Sequence, residues 1–176
     1  KIEIGIVTKL DTSENQVNII YLGIGSNLGN RIFNIEKAKS LLIKNNVTLI
    51  SISSYFETPS WPDPKKPKFL NVVIKANSTL KPIELLKLCK FIEVKLGRKK
   101  NIKNSPRECD IDIIDFNSLI LKGNLNLPHK MMHKRNFVLF PLFEIEKKWL
   151  HPITRVDIKH LIYSLSSGDI RSIKQI

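Results

Sequence analysis

Apolar and polar positions in this chain change period several times, and each change marks an element. Asn18 to Ile24, with Ile19, Ile20, Tyr21 and Leu22, is nearly all apolar and predicts a central strand. Gly23-Ile24-Gly25-Ser26-Asn27-Leu28-Gly29-Asn30 reads as a tight strand-to-helix turn with Asn30 near the cap position. It has neither a P-loop ending nor G-x-G-x-x-G spacing. Ile32, Ile35, Ala38 and Leu42 recur at helical spacing and predict a helix from Arg31 to about Asn45. Val47 to Phe56, rich in β-branched residues, predicts one strand. Thr58 to Pro67 holds four prolines and must be a stiff loop. Phe69, Asn71 and Val73 then share one face of a strand that runs to Ala76. Inward-facing, Asn71 reads as a satisfied core amide or a ligand contact. Pro82 opens a helix to Leu96, buried along Leu85, Cys89, Ile92 and Leu96, and Gly97 stops it.

Next comes Pro106-Arg107-Glu108-Cys109-Asp110-Ile111-Asp112-Ile113, a strand whose apolar 109, 111 and 113 alternate with two aspartates. Leu119 to Leu121 predicts a short edge strand after an Asn117-Ser118 turn. Arg135 to Leu142 is mostly apolar and partly helical, His151-Pro152 is a turn, and Val156 to Leu165 makes a last amphipathic helix. The order β-α-β-β-α-β predicts an α+β, ferredoxin-like core: an antiparallel sheet covered by helices, with an added C-terminal helical segment. Ile2, Ile4 and Ile6 alternate in a leading strand, and a polar linker ends at Gln16. Residues 1–16 therefore read as an N-terminal extension or the remnant of an upstream domain, and 17–176 as the domain proper. The start at Lys1 is read as that of a processed or excised piece.

Length and composition narrow the class. A chain of 176 residues, 42% apolar, fits one globular domain with a proper core. The net charge of +13 asks for an anionic partner: nucleic acid, acidic membrane or a polyphosphate ligand. The basic residues are scattered, so charge alone does not choose. Cys89 and Cys109, without a C-x-x-C, read as buried free thiols of a reducing cytosol. No apolar stretch approaches eighteen residues, and no signal-peptide pattern opens the chain.

Candidate chemistry lies at Asp110 and Asp112. Aspartate is depleted in strands, and neighbours at i and i+2 stand about 7 Å apart on one face. Left bare they repel; divalent metal between them turns repulsion into attraction, and magnesium favours one or two carboxylates plus substrate phosphates. Arg107, at the strand's entrance, is placed to fork onto a phosphate. The bland alternative is an exposed strand whose outer face carries two aspartates.

The chain resembles the 6-hydroxymethyl-7,8-dihydropterin pyrophosphokinase family over residues 19 to about 152. The resemblance rests on Gly25-Ser26-Asn27-Leu28-Gly29, Ser54-Tyr55-Phe56-Glu57-Thr58-Pro59, Phe69-Leu70-Asn71 and Ile92-Glu93-Val94-Lys95-Leu96-Gly97-Arg98. It continues through Pro106-Arg107 with Asp110-Ile111-Asp112, Pro128-His129, and Arg135-Asn136-Phe137 with Pro141-Leu142. It implies transfer of an intact diphosphate from ATP to the pterin's hydroxymethyl oxygen in folate biosynthesis. It further implies two magnesium ions on Asp110 and Asp112, a triphosphate clamp of Arg98 and Arg107, and nucleotide contacts from Lys90, Glu93, Lys100, Lys103, Ile113, His129, Lys130 and Arg135. Phe69 and Phe137 would sandwich the pterin, with Thr58, Ser60, Trp61 and Asn71 at its edge. Where relatives often carry Trp-Gly before Pro-Arg, this chain has Asn104-Ser105. The loop from Arg98 to Ser105 is expected to act as a lid over the phosphates. The expected partners are pterin and ATP, with neither nucleic acid nor membrane, in the cytoplasm, and with another folate enzyme fused or associated. Two rival readings use the same features: a metal-dependent phosphohydrolase acting through the D-x-D, and a basic ferredoxin-like RNA-binding module.

Overall fold

The computed structural model describes residues 16–61, 63–99 and 105–176. The leading strand read at 2–6, the linker as far as residue 15, and Lys100, Lys103 and Asn104 lie outside the described residues.

Strand β1 (Asn18–Ser26) is the hub of the sheet. It pairs antiparallel with β4 (Phe69–Ser78) on one side and β5 (Asp110–Phe116) on the other. β4 in turn pairs with both β2 (Val47–Ile52) and β3 (Phe56–Thr58), giving the order β5-β1-β4-β3, all antiparallel. The central position of β1 follows from its sequence, since only a strand buried on both faces is nearly all apolar. Helix α1 (Arg31–Lys44) starts at Asn30, whose Oδ1 accepts from Phe33 N at 3.1 Å. Helix α2 (Pro82–Lys95) starts with proline and with Glu84 accepting from Lys81 N at 2.7 Å. Gly97 ends it at φ +108°, and a Cβ there would press on the Glu108 carboxyl at 3.2 Å.

Alternation sorts the strand residues onto two faces. Ile20, Leu22 and Ile24 of β1, Val72, Ile74 and Ala76 of β4, and Ile111 and Ile113 of β5 pack under α1 and α2 in the main core. The opposite face carries Tyr21, Val73 and Ile114, covered by α3 (Asn136–Ile145) and α4 (Ile158–Tyr163). At the C-terminal end of β1 that second face is left open, and Gly23, Gly25, Phe69, Asn71, Asp110 and Asp112 lie there. A register shift between Tyr21 and Leu22, which pair with Asp115 and Ile113, makes Ile114 the extra residue and puts it on the Tyr21 face. Beyond it Asp115, 2% exposed, accepts from Trp149 Nε1 at 2.9 Å and from Ser118 N at 2.9 Å.

The ferredoxin-like βαββαβ core is present, with three differences in detail. The strand expected from Val47 to Phe56 is two strands. At the break Ser53 Oγ accepts from Val73 N at 3.0 Å, while Ser54 N and Oγ both donate to the Glu144 carboxylate. Side-chain oxygens thus replace ladder partners, and the chain steps sideways before β3. The edge strand expected at Leu119–Leu121 reduces to a single bridge, Leu121 to Leu127, because Asn117 and Ser118 both take positive φ and turn the chain sharply. The helix expected from Val156 to Leu165 runs only from Ile158 to Tyr163, with Asp157 as its cap. The periodicity did not foresee α5 (Ser167–Ser172) or β6 (Lys174–Gln175), which adds a sixth strand beside β3. Cys89 and Cys109 are buried and unbridged, and burial pushes both thiols up. Among the described residues no helix is long and apolar enough to cross a membrane.

Burial pushes the Asp115 carboxyl above its ordinary value despite its hydrogen bonds. A carboxyl raised in the folded state contributes stability that is present below its unfolded pKa and lost as pH rises through its folded pKa. Asp115→Asn removes that dependence. In parallel denaturant titrations, wild type should therefore gain on the variant as pH falls from 7 to 4, and a gap that runs the other way contradicts the assignment.

Candidate active site

The open end of the second face is a cleft of about 300 Å3. Its floor is β1, where Gly23 and Gly25 present bare backbone to the cleft. A Cβ on Gly25 would stand 2.9 Å from Asn71 Oδ1 and 3.4 Å from a Phe69 ring carbon, so only glycine lets those side chains lie across the strand. Phe69 and Asn71 come from β4, Asp110 and Asp112 from β5, and Phe137 and Val138 from the first turn of α3. Thr58, Pro59 and Trp61 close the rim where β3 enters the proline-rich loop.

One wall is polar and charged in pairs. Asp110 accepts from Arg98 Nη1 and from Arg107 Nη2, both at 2.5 Å. Burial alone would push the Asp110 carboxyl up, but Arg107 and then Arg98 pull it down further, so the group sits below its ordinary value. Asp112 accepts from Arg135 Nη1 at 3.0 Å, with His129 Nε2 at 3.8 Å. Burial lowers the His129 pKa against the opposing pull of Asp112, which favours neutral imidazole at pH 7. Glu93, 1% exposed, is held by Lys90 Nζ at 3.0 Å and Arg98 Nη1 at 2.8 Å, and accepts from Ile111 N at 2.8 Å. It is the joint between α2 and the aspartate strand, and a buried carboxylate needs all three partners.

The other wall is aromatic. Arg107 lies over the Phe69 ring, 5.0 Å from its centroid, and Arg135 over Phe137 at 5.5 Å. Asn71 Nδ2 donates to Thr58 Oγ1 at 3.1 Å, which fixes the amide and leaves Oδ1 toward Gly25. Asn71 is therefore both alternatives that the sequence left open: a bonded, buried amide and a lining residue of the cleft.

The cleft thus gathers Thr58, Trp61, Phe69, Asn71, Lys90, Arg98, Arg107, Asp110, Asp112, Arg135 and Phe137, with Glu93 directly behind. Ser60 lines an adjoining cavity, and His129 stands beside Asp112. Ile113 turns the other way: its side chain is buried under α1 and α2, because its position on the strand is out of phase with the aspartates. Lys130 is exposed and lines neither cavity. The sequence reading missed Gly23 and Gly25 as floor. Two glycines at i and i+2 in an apolar strand were the available signal. It also missed Asn27, 3% exposed, which fastens Arg107: Oδ1 accepts from Arg107 N at 2.8 Å, its backbone N donates to Arg107 O at 3.1 Å, and Nδ2 donates to Pro67 O at 3.0 Å.

Comparison with known proteins agrees with this geometry. Residues 21–147 match the family model described as 7,8-dihydro-6-hydroxymethylpterin-pyrophosphokinase. The chain is 40% identical over 141 residues to the 2-amino-4-hydroxy-6-hydroxymethyldihydropteridine pyrophosphokinase of Aquifex aeolicus, spanning 80% of this chain and 88% of that one. It is 38% identical over 152 residues to the folic acid synthesis protein FOL1 of Dictyostelium discoideum, covering 86% of this chain but 23% of the longer protein. The fold is similar to that of the Plasmodium falciparum HPPK-DHPS structure, with a TM-score of 0.67 at 15% identity over 86% of this chain and 46% of that one. The chain spans less than half of that structure and most of the Aquifex enzyme. A cleft that sets stacked aromatics against paired carboxylates and arginines, with these matches over the same residues, leads to one conclusion: the chain belongs to the 7,8-dihydro-6-hydroxymethylpterin-pyrophosphokinase family, the pyrophosphokinases of folate synthesis.

Proposed function

We propose that this domain transfers the β,γ-diphosphate of ATP to the hydroxymethyl oxygen of 6-hydroxymethyl-7,8-dihydropterin, releasing AMP and the pterin diphosphate. The observation that carries the reading is the single cleft holding Phe69, Asn71 and Phe137 beside Asp110, Asp112, Arg98, Arg107 and Arg135. A flat, polar-edged ring and a polyphosphate need those two kinds of wall next to each other.

The pterin ring stacks between Phe69 and Phe137, each such contact worth about 0.5–1.5 kcal/mol. Asn71, Thr58 and Ser60 with the rim at Trp61 read the ring's edge by hydrogen bonds, rejecting analogues that leave them unpaired. Arg98 and Arg107 clamp the phosphates, with Lys90, His129 and Arg135 as further nucleotide contacts; Lys100, Lys103 and Lys130 belong to the same basic rim. Asp110 and Asp112 are the residues that would hold two magnesium ions. Among the described residues no group of three histidine, cysteine or carboxylate side chains gathers to hold a metal, which suits an ion whose remaining ligands are substrate phosphates and water. Bound with ATP, magnesium supplies Lewis-acid charge to the phosphoryl oxygens. Arg98, Arg107 and Arg135, which pair with the aspartates, would be free to turn to the phosphates if the aspartates held the ions, exchanging internal ion pairs for ligand ion pairs.

The rivals explain less. The pyrophosphokinase family match over residues 21–147 favours transfer over phosphate release by a phosphohydrolase. A ferredoxin-like RNA module stacks bases on an open sheet face, and here helices cover both faces except at the cleft. The same reading places the enzyme in the cytoplasm, with its substrates small molecules. It also gives it a neighbour in the same pathway, since relatives named bifunctional protein FolKE and HPPK-DHPS join two functions in one chain.

Product analysis tests the reaction. With ATP, magnesium and 6-hydroxymethyl-7,8-dihydropterin, AMP and pterin diphosphate should appear in equal amounts, and ADP or free phosphate as main product sinks the proposal. A second outcome concerns the aspartates: Asp110→Asn or Asp112→Asn keeps the shape and removes the charge. Turnover should fall by orders of magnitude with circular dichroism unchanged. A folded variant at near wild-type rate in saturating magnesium removes that aspartate from the metal site.

A further inference from the structure

We infer that the C-terminal segment from Ser166 to Ile176 is part of the active site, and that Asn136 is the positioning residue through which it sets Phe137. The role assigned to Phe137 rests on the pterin reading above.

Asn136 stands between two working residues, Arg135 on Asp112 and Phe137 on the cleft wall, and is 7% exposed. Its side chain is used at both ends. Oδ1 accepts from Phe137 N at 2.7 Å, while Nδ2 donates to the backbone oxygen of Asp169 at 2.7 Å and to Ser172 Oγ at 3.0 Å. Ser172 Oγ closes the triangle by donating to the same oxygen of Asp169 at 3.0 Å. One amide therefore ties the first turn of α3 to α5.

Two residues on, the same segment grips the opposite wall. Lys174 and Gln175 pair with Glu57 and Phe56 of β3, and Ile176 N donates to Tyr55 O at 3.0 Å. β3 is only three residues long and leads straight into Thr58 and Pro59 of the rim. A strand that short is weak unless it is paired on both sides. The segment has no core of its own, for α5 buries none of its residues. Among the described residues its hydrogen-bonded attachments are the β3 edge and Asn136. Between them lies a second cavity of about 390 Å3, which shares Thr58, Pro59, Trp61, Arg135 and Phe137 with the first and ends at Asp169 and Ser172. The tail is a strap across the pterin half of the cleft, holding the α3 wall and the β3 rim at a fixed separation. Among the described residues no hydrogen bond or strand pairing joins it to β5, α2 or Arg107, the frame of the phosphate half.

That division supplies the test. Asn136→Asp keeps the acceptor for Phe137 N and sets a carboxylate oxygen against the Asp169 carbonyl. Ser172→Ala removes only one contact and guards against a variant that fails to fold. In the full chain, Asn136→Asp should raise KM for the pterin about tenfold, the equivalent of one lost buried hydrogen bond, and Ser172→Ala by less. KM for ATP should stay within about twofold in both, since a tenfold change is what one lost contact would bring. Hydrogen exchange in the ligand-free proteins should quicken at Thr58 and Phe137 and hold steady at Ile111. An unchanged pterin KM, or pterin and ATP constants that worsen together, overturns the inference. The exchange measurement separates the two claims: a wild type that makes no AMP refutes the reaction, whereas unchanged exchange at Thr58 and Phe137 refutes the strap whatever the reaction is.

Discussion

Two aspartates a single pleat apart, with a buried glutamate behind them, can share one cleft only because guanidinium groups stand between them. Asp110 is shared by Arg98 and Arg107, Asp112 is held by Arg135, and Glu93 by Arg98 and Lys90. Each arginine sits at the end of a different element, Arg98 just beyond α2, Arg107 just before β5 and Arg135 just before α3, while Lys90 lies within α2. The charge lattice is therefore also a mechanical joint. Glu93, accepting from Ile111 N, fixes the depth of α2 against the strand, and Asn27 fixes Arg107 from β1. Removing Arg98 would weaken Asp110 and Glu93 together, while removing Arg135 would leave Asp112 without its paired cation.

The sheet supplies the second constraint, which is phase. In β4 and β5 alternate side chains go to the main core and to the cleft, so apolar packing and chemistry use the same strands without competing. The glycines of β1 are where this arrangement has a cost. Gly25 gives up side-chain packing so that Phe69 and Asn71 can lie across the strand, and Gly23 does so beside Ile114. The aromatic wall is made of residues that would otherwise read as core.

Much of this was legible because the signals were local. Strand alternation at Asp110 and Asp112, the proline opening of α2, Asn30 as cap and Gly97 as stop are all written within a few residues of where they act. What was not legible depended on distant partners. The break after Ile52 needs Val73 and Glu144 to offer side-chain alternatives to the ladder. Gly23 and Gly25 looked like turn residues because the side chains they make room for, Ile114 beside Gly23 and Phe69 and Asn71 beside Gly25, lie more than forty residues away in sequence. Ile113 carries no outward mark of facing the core except its phase. The tail from Ser166 onward is short and polar, and the spacing of Ile170, Ile173 and Ile176 does not announce a strand; that strand forms where β3 offers an unpaired edge.

The central claim is that Asp110 and Asp112 repel a bare polyphosphate and attract one carrying magnesium, while the arginines serve whichever anion is present. Calorimetric titration of the Asp110→Asn, Asp112→Asn double variant with a non-hydrolysable ATP analogue tests it directly. Without magnesium, the variant should bind the analogue more tightly than wild type, because two negative charges have left the phosphate site and their arginines are free. With saturating magnesium, the order should reverse. A variant that is weaker under both conditions, or indistinguishable from wild type under both, would contradict the account.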